Sequence, residues 1–221
     1  LQVAACGLLP LLAACVVTVG GSSCSMTSIQ GSGVEATQAR EVPSFSKVHL
    51  SGSGELRAAV GAPQQPLRVT CDDNLLQYVT TEVRGDTLHI GMQPGSYSFR
   101  RDLVVELSAP VLEAVSISGS GSAHVHGVSG GTFAAKISGS GDVTAQGSVE
   151  HLSASVSGSG ELRLAGLRAR TAQVQISGSG DVRVDVSEDL NVQVSGSGDV
   201  RYSGNPRVLS NISGSGSVSG T

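Results

Sequence analysis

The chain has 221 residues, of which 39% are hydrophobic but only 3% aromatic, with no Trp, so a core must rest on many small aliphatic contacts and not on large rings. A net charge of −4 without any basic run argues against nucleic acid and against an electrostatic footprint on a membrane. Four cysteines form neither a disulfide framework nor a CxxC zinc pattern.

Residues 1–21 are almost wholly apolar and uncharged, which marks a targeting leader and not part of a fold. The chain starts at Leu1 without Met or a basic segment, so its true start is expected upstream. Leu12-Ala13-Ala14-Cys15 resembles the bacterial lipobox, and Cys15 is the expected lipidated residue. Cys24, after Gly21-Ser22-Ser23, is the alternative, although the aliphatic residue usual three positions before the cysteine is missing. Cys6 has too little hydrophobic chain before it. A cleaved secretory signal and a retained membrane helix are the other readings, the apolar run being near the lower length limit for a span. All of them mean export, and the lipidated form would place the protein in the bacterial cell envelope, most readily as an outer-membrane lipoprotein. Residues 22–40 are polar and read as a tether, with the folded domain over residues 41–221.

Within the domain, Pro66–Cys71, Tyr78–Val83, Thr87–Ile90 and Leu103–Leu107 read as strands. Turn-forming residues separate them at Asp72-Asp73-Asn74, Arg84-Gly85-Asp86 and Gln93–Ser96, and no helix is supported. Arg84-Gly85-Asp86 matches an integrin-recognition triplet, but turn chemistry accounts for it where a hairpin is expected.

The rest is a repeat. Ser-Gly-Ser-Gly begins at Ser51, Ser118, Ser138, Ser157, Ser177, Ser195 and Ser213, the last five gaps being 20, 19, 20, 18 and 18 residues. A flexible linker would not recur at such spacing between matching hydrophobic patterns. The flanks alternate: from Leu190 to Tyr202 every second residue is apolar or Gly, the period of a strand with one buried face. Overlaid repeats give an inward column Ile117, Ile137, Val156, Ile176, Val194 and Ile212 before the motif. A second column, Ala123, Val143, Leu162, Val182, Val200 and Val218, follows it. The expected fold is therefore all-β, a parallel β-helix with rungs of 18–20 residues stacked about 4.8 Å apart. A right-handed coil is expected, since left-handed forms favour hexapeptide periodicity. The 67 residues between Ser51 and Ser118 would make three to four less regular rungs.

The motif glycines are Gly119, Gly121, Gly139, Gly141, Gly158, Gly160, Gly178, Gly180, Gly196, Gly198, Gly214 and Gly216. Lacking side chains at inward positions, they would form a corner where backbones approach closely. The intervening serines would point outward and ladder from rung to rung. Glu55, Asp142, Glu161, Asp181 and Asp199 follow the motif, with Ser122 and Ser217 at the same place in two repeats. Stacked carboxylates would repel by about 1 kcal/mol per pair in water. Arg57, Arg163, Arg183 and Arg201, two residues on, would neutralise them.

No catalytic residue, cofactor or metal site emerges. The Gly-x-Gly-Asp repeat is similar to calcium-binding nonapeptide repeats, but the interval is twice theirs and Arg stands where a cation would. His124 and His126 share a strand face without a third ligand in view, and His49, His89 and His151 are isolated. No nucleophile elbow or phosphate loop is followed by a helix. Rungs this short leave little chain for the subsite loops of a polysaccharide-active enzyme, and the acids are paired with Arg.

Several segments together are specific. Ile29-Gln-Gly31-Ser-Gly33, the stretch from Val42 through Phe45 to Leu50-Ser-Gly-Ser-Gly54, Cys71-Asp-Asp-Asn74-Leu75-Leu76, Leu88 with Ile90, and repeated Ile-Ser-Gly-Ser-Gly-Asp-Val resemble the bacterial head GIN domain family of auto-transporter adhesins. The resemblance covers about residues 31–221. It implies an exported β-helical domain, often on a lipoprotein, and carries over no catalytic or binding residues. The expected function is non-catalytic: adhesion, or passive binding of a surface glycan or protein along a flat side of the solenoid. A structural or envelope-stress accessory role is the alternative. A lipid anchor would supply the membrane contact, and the rung around Ser213–Thr221, with no capping helix after it, offers a route to self-association.

Overall fold

The computed structural model describes residues 28–221. Cys6, Cys15 and Cys24, and the leader as a whole, lie outside the described residues.

Among the described residues strand dominates, and the one helical element is a single 3₁₀ turn at Leu76–Tyr78. The chain forms a β-solenoid of about five turns. Each turn has a leading side that runs into the Ser-Gly-Ser-Gly motif and a trailing side that leaves it, paired in parallel with the rungs above and below. A back side, residues 128–133, 147–152 and 167–172, closes the coil. The expected register holds. Ile117, Ile137, Val156, Ile176, Val194 and Ile212 are successive ladder partners, as are Ala123, Val143, Leu162, Val182, Val200 and Val218. Most of both columns is fully buried, since aliphatic side chains stacked on homologous neighbours lose nearly all their water. Unequal repeat lengths are absorbed where the trailing side bends into the back side, the register shifting between Val125 and Val128, Thr144 and Gln146, and Leu164 and Arg168, and once more within the back side between Ala169 and Thr171. The motif corner never shifts.

The glycines make that corner, in two ways. Gly119 lies at φ 124°, and a Cβ built on it would fall 2.5 Å from the carbonyl oxygen of Gly52 in the rung before. Gly121 would place one 2.9 Å from the carbonyl of Gly54 and equally near the Leu50 side chain. The first glycine thus turns the chain and the second admits the neighbouring rung. Backbone hydrogen bonds cross the corner as well, Ser140 N–H donating to Gly119 O at 2.9 Å and Asp142 N–H to Gly121 O at 3.1 Å.

Two expectations need correction. The segment between Ser51 and Ser118 does not form three to four rungs, because Ser51 and Ser118 are direct ladder partners. The chain leaves the stack after Glu55–Val60 and returns at Ala114–Gly119, folding in between beneath the first rung. There Thr87–Met92 pairs in parallel with Lys47–Gly52, and Val104–Ala109 with Glu55–Val60. Each is flanked by an antiparallel strand, Val79–Arg84 on the first and Leu67–Asp72 on the second. The local strand pattern was legible, but the return address of the inserted chain is a long-range contact that periodicity does not encode.

The second correction concerns the tether. Ile29–Gln30 pairs with Tyr97–Ser98, and Glu35–Arg40 is an antiparallel strand on Leu67–Asp72, so residues 29–40 belong to the fold. Asp72 anchors them. Its buried carboxylate accepts hydrogen bonds from the N–H groups of Gly33 (2.7 Å), Arg100 (2.9 Å) and Arg101 (3.0 Å). Asn74 joins in, its amide donating to Gln30 O and accepting from Ser32 N–H.

Candidate functional site

The solenoid presents long sides on which each outward position recurs at the rung spacing, so any site built from the repeat is a column of side chains running along the axis.

On the trailing side the acidic and basic columns lie in ladder register as expected: Glu55, Ser122, Asp142 and Glu161 stack, with Arg57, His124, Thr144 and Arg163 beside them. Arg57 pairs with Glu55 at 2.6 Å, and Glu161 receives both Arg163 (2.6 Å) and Arg183 of the next rung (2.7 Å). The bond from Arg57 holds the Glu55 carboxyl below its usual range against the opposing effect of burial. The aspartates use a second device absent from the sequence reading. Asp142 accepts from Glu161 N–H (3.3 Å), Asp181 from Asp199 N–H (3.1 Å), and Asp199 from Ser217 N–H (3.0 Å) and Oγ (2.7 Å). Each carboxylate thus binds the corner of the rung above, and the bonds from Ser217 hold the Asp199 carboxyl low. Most charge of this side is committed to the protein itself; of the four expected arginines, Arg201 has no ion pair among the described residues.

The histidines form no common cluster, although His49 and His89, isolated in sequence, meet as ladder partners. His124 Nε2 lies 3.9 Å from Glu55, whereas His126 Nδ1 meets Gln146 at 3.2 Å. His49 and His89 face each other on adjacent rungs with ring centroids 5.5 Å apart, and burial, then His89 and Lys136, lowers the His49 pKa. No group of three or more metal-ligating side chains occurs among the described residues. Arg84-Gly85-Asp86 is the expected hairpin turn, with Gly85 at φ 65°. Its charged ends are engaged, Arg84 with Glu82 and Asp86 with Lys47, both at 2.8 Å. Cys71 is buried, and its thiol is pushed up to about 11 by burial and then by the Asp72 charge.

The leading side is different in kind. Its outward columns carry Ser155, Gln175, Gln193 and Asn211, then the motif serines, around a shallow hollow of about 410 Å³. The expected serine ladder does not form: among the described residues, the side chains of Ser138, Ser157, Ser177 and Ser195 make no hydrogen bond to one another, and only their backbones join the ladder. These serines are exposed, and their hydroxyls are left to solvent.

At the far edge of the same side, where the back side bends into it, lies a groove of about 1030 Å³. One wall is the column Thr132, His151, Thr171, Asp189 and Arg207, consecutive ladder partners. The other is Ala134, Ser153, Gln173, Asn191 and Leu209. Sequence reasoning missed this groove, although a signal existed: each residue of the first wall stands six positions before the first Ser of its motif. His151, isolated in sequence, is a member of that column.

A family model described as "Putative auto-transporter adhesin, head GIN domain" matches residues 44–206. Among solved structures, a "putative adhesin" from Bacteroides fragilis superposes with a TM-score of 0.73 at 20% identity, covering 88% of this chain and all of that one. A "putative lipid binding protein" from Parabacteroides distasonis gives 0.55 at 25% identity, with 88% and 100% covered. A "putative adhesin" from Parabacteroides merdae gives 0.56 at 18%, with 88% and 99% covered. Comparison with curated protein sequences found no match.

Proposed function

Because the chain belongs to the head GIN domain family, we propose that it is an exported, non-catalytic recognition domain of the bacterial envelope that engages a repeating surface polymer through the leading side of its solenoid. The observation that supports this is the contrast between the two sides. The trailing side spends most of its charges on internal ion pairs and corner hydrogen bonds, whereas from Ser155 to Asn211 the leading side repeats hydroxyls and amides that have no side-chain partner among the described residues. Many weak contacts at a fixed interval suit a polymer of similar interval, because each contact after the first is intramolecular. A glycan array probed with the chain tests the reading. Binding to surface polysaccharides is expected, and the absence of any glycan hit would refute it.

Anchoring belongs to the same proposal. Lipidation at Cys15 would hold the domain at the membrane, most readily the outer one. Metabolic labelling with a fatty-acid probe should disappear in Cys15→Ser, and label retained in that variant would assign Cys24 instead.

Self-association is a second reading, favoured by the last described coil. Ile212, inward in its column, is 39% exposed because no described rung covers it, and Leu209 is 70% exposed. Sedimentation of the chain with and without residues 205–221 tests this, a concentration-dependent dimer being expected only with them.

A further inference from the structure

The groove of about 1030 Å³ differs from the hollow of about 410 Å³ beside it in size and in the number of rungs it spans. It crosses seven successive strands, from the one carrying Lys47 to the one carrying Arg207, so with about 4.8 Å between neighbours it runs roughly 29 Å along the solenoid axis. Its volume is at the upper end of small-molecule sites, which are about 300–1,000 Å³, yet it is a channel and not a chamber, open to solvent along its length. An elongated occupant lying parallel to the axis fits that shape.

Its chemistry narrows the occupant. The cations at both ends are already paired, Lys47 with Asp86 at 2.8 Å and Arg207 with Asp189 at 2.8 Å, and among the described residues the Glu113 carboxylate beside Lys47 accepts only from Ser46 Oγ at 3.3 Å. Between them the walls are neutral. His151 Nδ1 shares a hydrogen bond with Thr171 Oγ1 at 2.7 Å, while the side chains of Ser153, Gln173 and Asn191 have no hydrogen-bond partner among the described residues. A polyanion would find no free cation here. An acyl chain would find apolar surface at the alanines and at Leu209, but Phe133, Leu152 and Leu190 are buried beneath the walls, and it would strip water from the amides and hydroxyls between them without replacing their hydrogen bonds. An extended peptide binds through backbone at an open strand edge, but the strands crossed here spend their backbone groups on the parallel ladder.

We infer that this groove seats one strand of an uncharged polysaccharide, laid along the solenoid axis, with the hydroxyls of successive sugars meeting Thr132, His151, Ser153, Gln173 and Asn191. An extended β-linked chain advances by about one rung per sugar, so successive units meet homologous side chains. The inference rests on the recognition reading above and gives it a site and a ligand class.

Calorimetric titration of the chain with cellohexaose and xylohexaose, against hexagalacturonate and palmitate, tests it. Binding of a neutral hexasaccharide is expected, weakened at least tenfold in the Gln173→Glu/Asn191→Asp double variant. Both substitutions keep size and replace solvent-exposed amides, so an unchanged denaturation midpoint verifies the fold. The Ser148→Asp variant, exposed on the back side and outside both the groove and the leading-side hollow, should bind like the parent. Equal loss in that control, an unaffected double variant, or preference for hexagalacturonate overturns the groove while leaving recognition by the leading side standing. Palmitate displacing the sugar, or binding in its place, would assign the groove to a lipid. If the parent binds neither hexasaccharide but does bind other glycans on the array, the groove assignment alone fails; no glycan binding of any kind removes both.

Discussion

Three glycines in one stretch of chain separate the two reasons a motif glycine is irreplaceable. Gly131 has no positive φ and open space around an added Cβ. Gly130 has φ 132° and the same open space, so alanine there meets backbone strain alone. Gly119 has φ 124° and would also drive a Cβ to 2.5 Å from the Gly52 carbonyl oxygen, which is held in the corner by Ser120 and Gly121 N–H. Holding a side chain in such a φ region costs about 1–3 kcal/mol. Overpacking against backbone that cannot move adds about 1–3 kcal/mol. The expected order of destabilisation is therefore Gly131→Ala near zero, Gly130→Ala about 1–3 kcal/mol, and Gly119→Ala about 2–6 kcal/mol. The last is a large share of the roughly 5–15 kcal/mol available to a domain. Urea unfolding followed by circular dichroism reads these as shifts in midpoint at constant slope. If Gly119→Ala costs no more than Gly130→Ala, close rung-to-rung approach is not what selects glycine at the corner.

Val182→Asp puts a carboxylate into the fully buried trailing column and should unfold the chain, while Gln175→Asp on the outward leading face should shift the midpoint little; similar midpoints would contradict the alternation. Asp72→Asn removes the charge that three buried-side N–H groups share, so residues 29–40 should lose hydrogen-exchange protection before the repeat coils do. Burial works against ionisation of Asp72, but the N–H groups of Arg101, Arg100 and Gly33 prevail and lower its pKa. Its contribution is thus fully present above the ordinary aspartate range near 3.8 and fades as pH falls through the lowered value. Acid titration should release the same segment in that window, and protection that persists below it would count against the anchor. Cys71, with its thiol raised to about 11, should resist iodoacetamide at pH 8 until denaturant is added; rapid native-state labelling would mean the core around it opens.

How much the sequence disclosed depends on whether a feature is periodic. Alternation and the recurring motif place Ile137, Val156 and Ile176 in one column because identical neighbours repeat the same physical constraint, and the structure stacks them so. A feature that occurs once has no such echo. Asp72 reads as part of a turn, since nothing local says that Gly33 and Arg100 will bring their N–H groups to it from opposite directions. The destination of the inserted segment was hidden for the same reason: Val104–Ala109 could pair with any exposed edge, and only the assembled first rung determines that it lies under Glu55–Val60. The groove is an intermediate case. Its walls are periodic, but Thr132, His151, Thr171, Asp189 and Arg207 share a position and not a residue type, so a search for identity passes over them. Conformity of type marks what the fold requires of every rung, as at the glycine corner. Variation of type at a fixed position marks where the fold leaves a side chain free, and in a solenoid those free columns are where a ligand can be recognised.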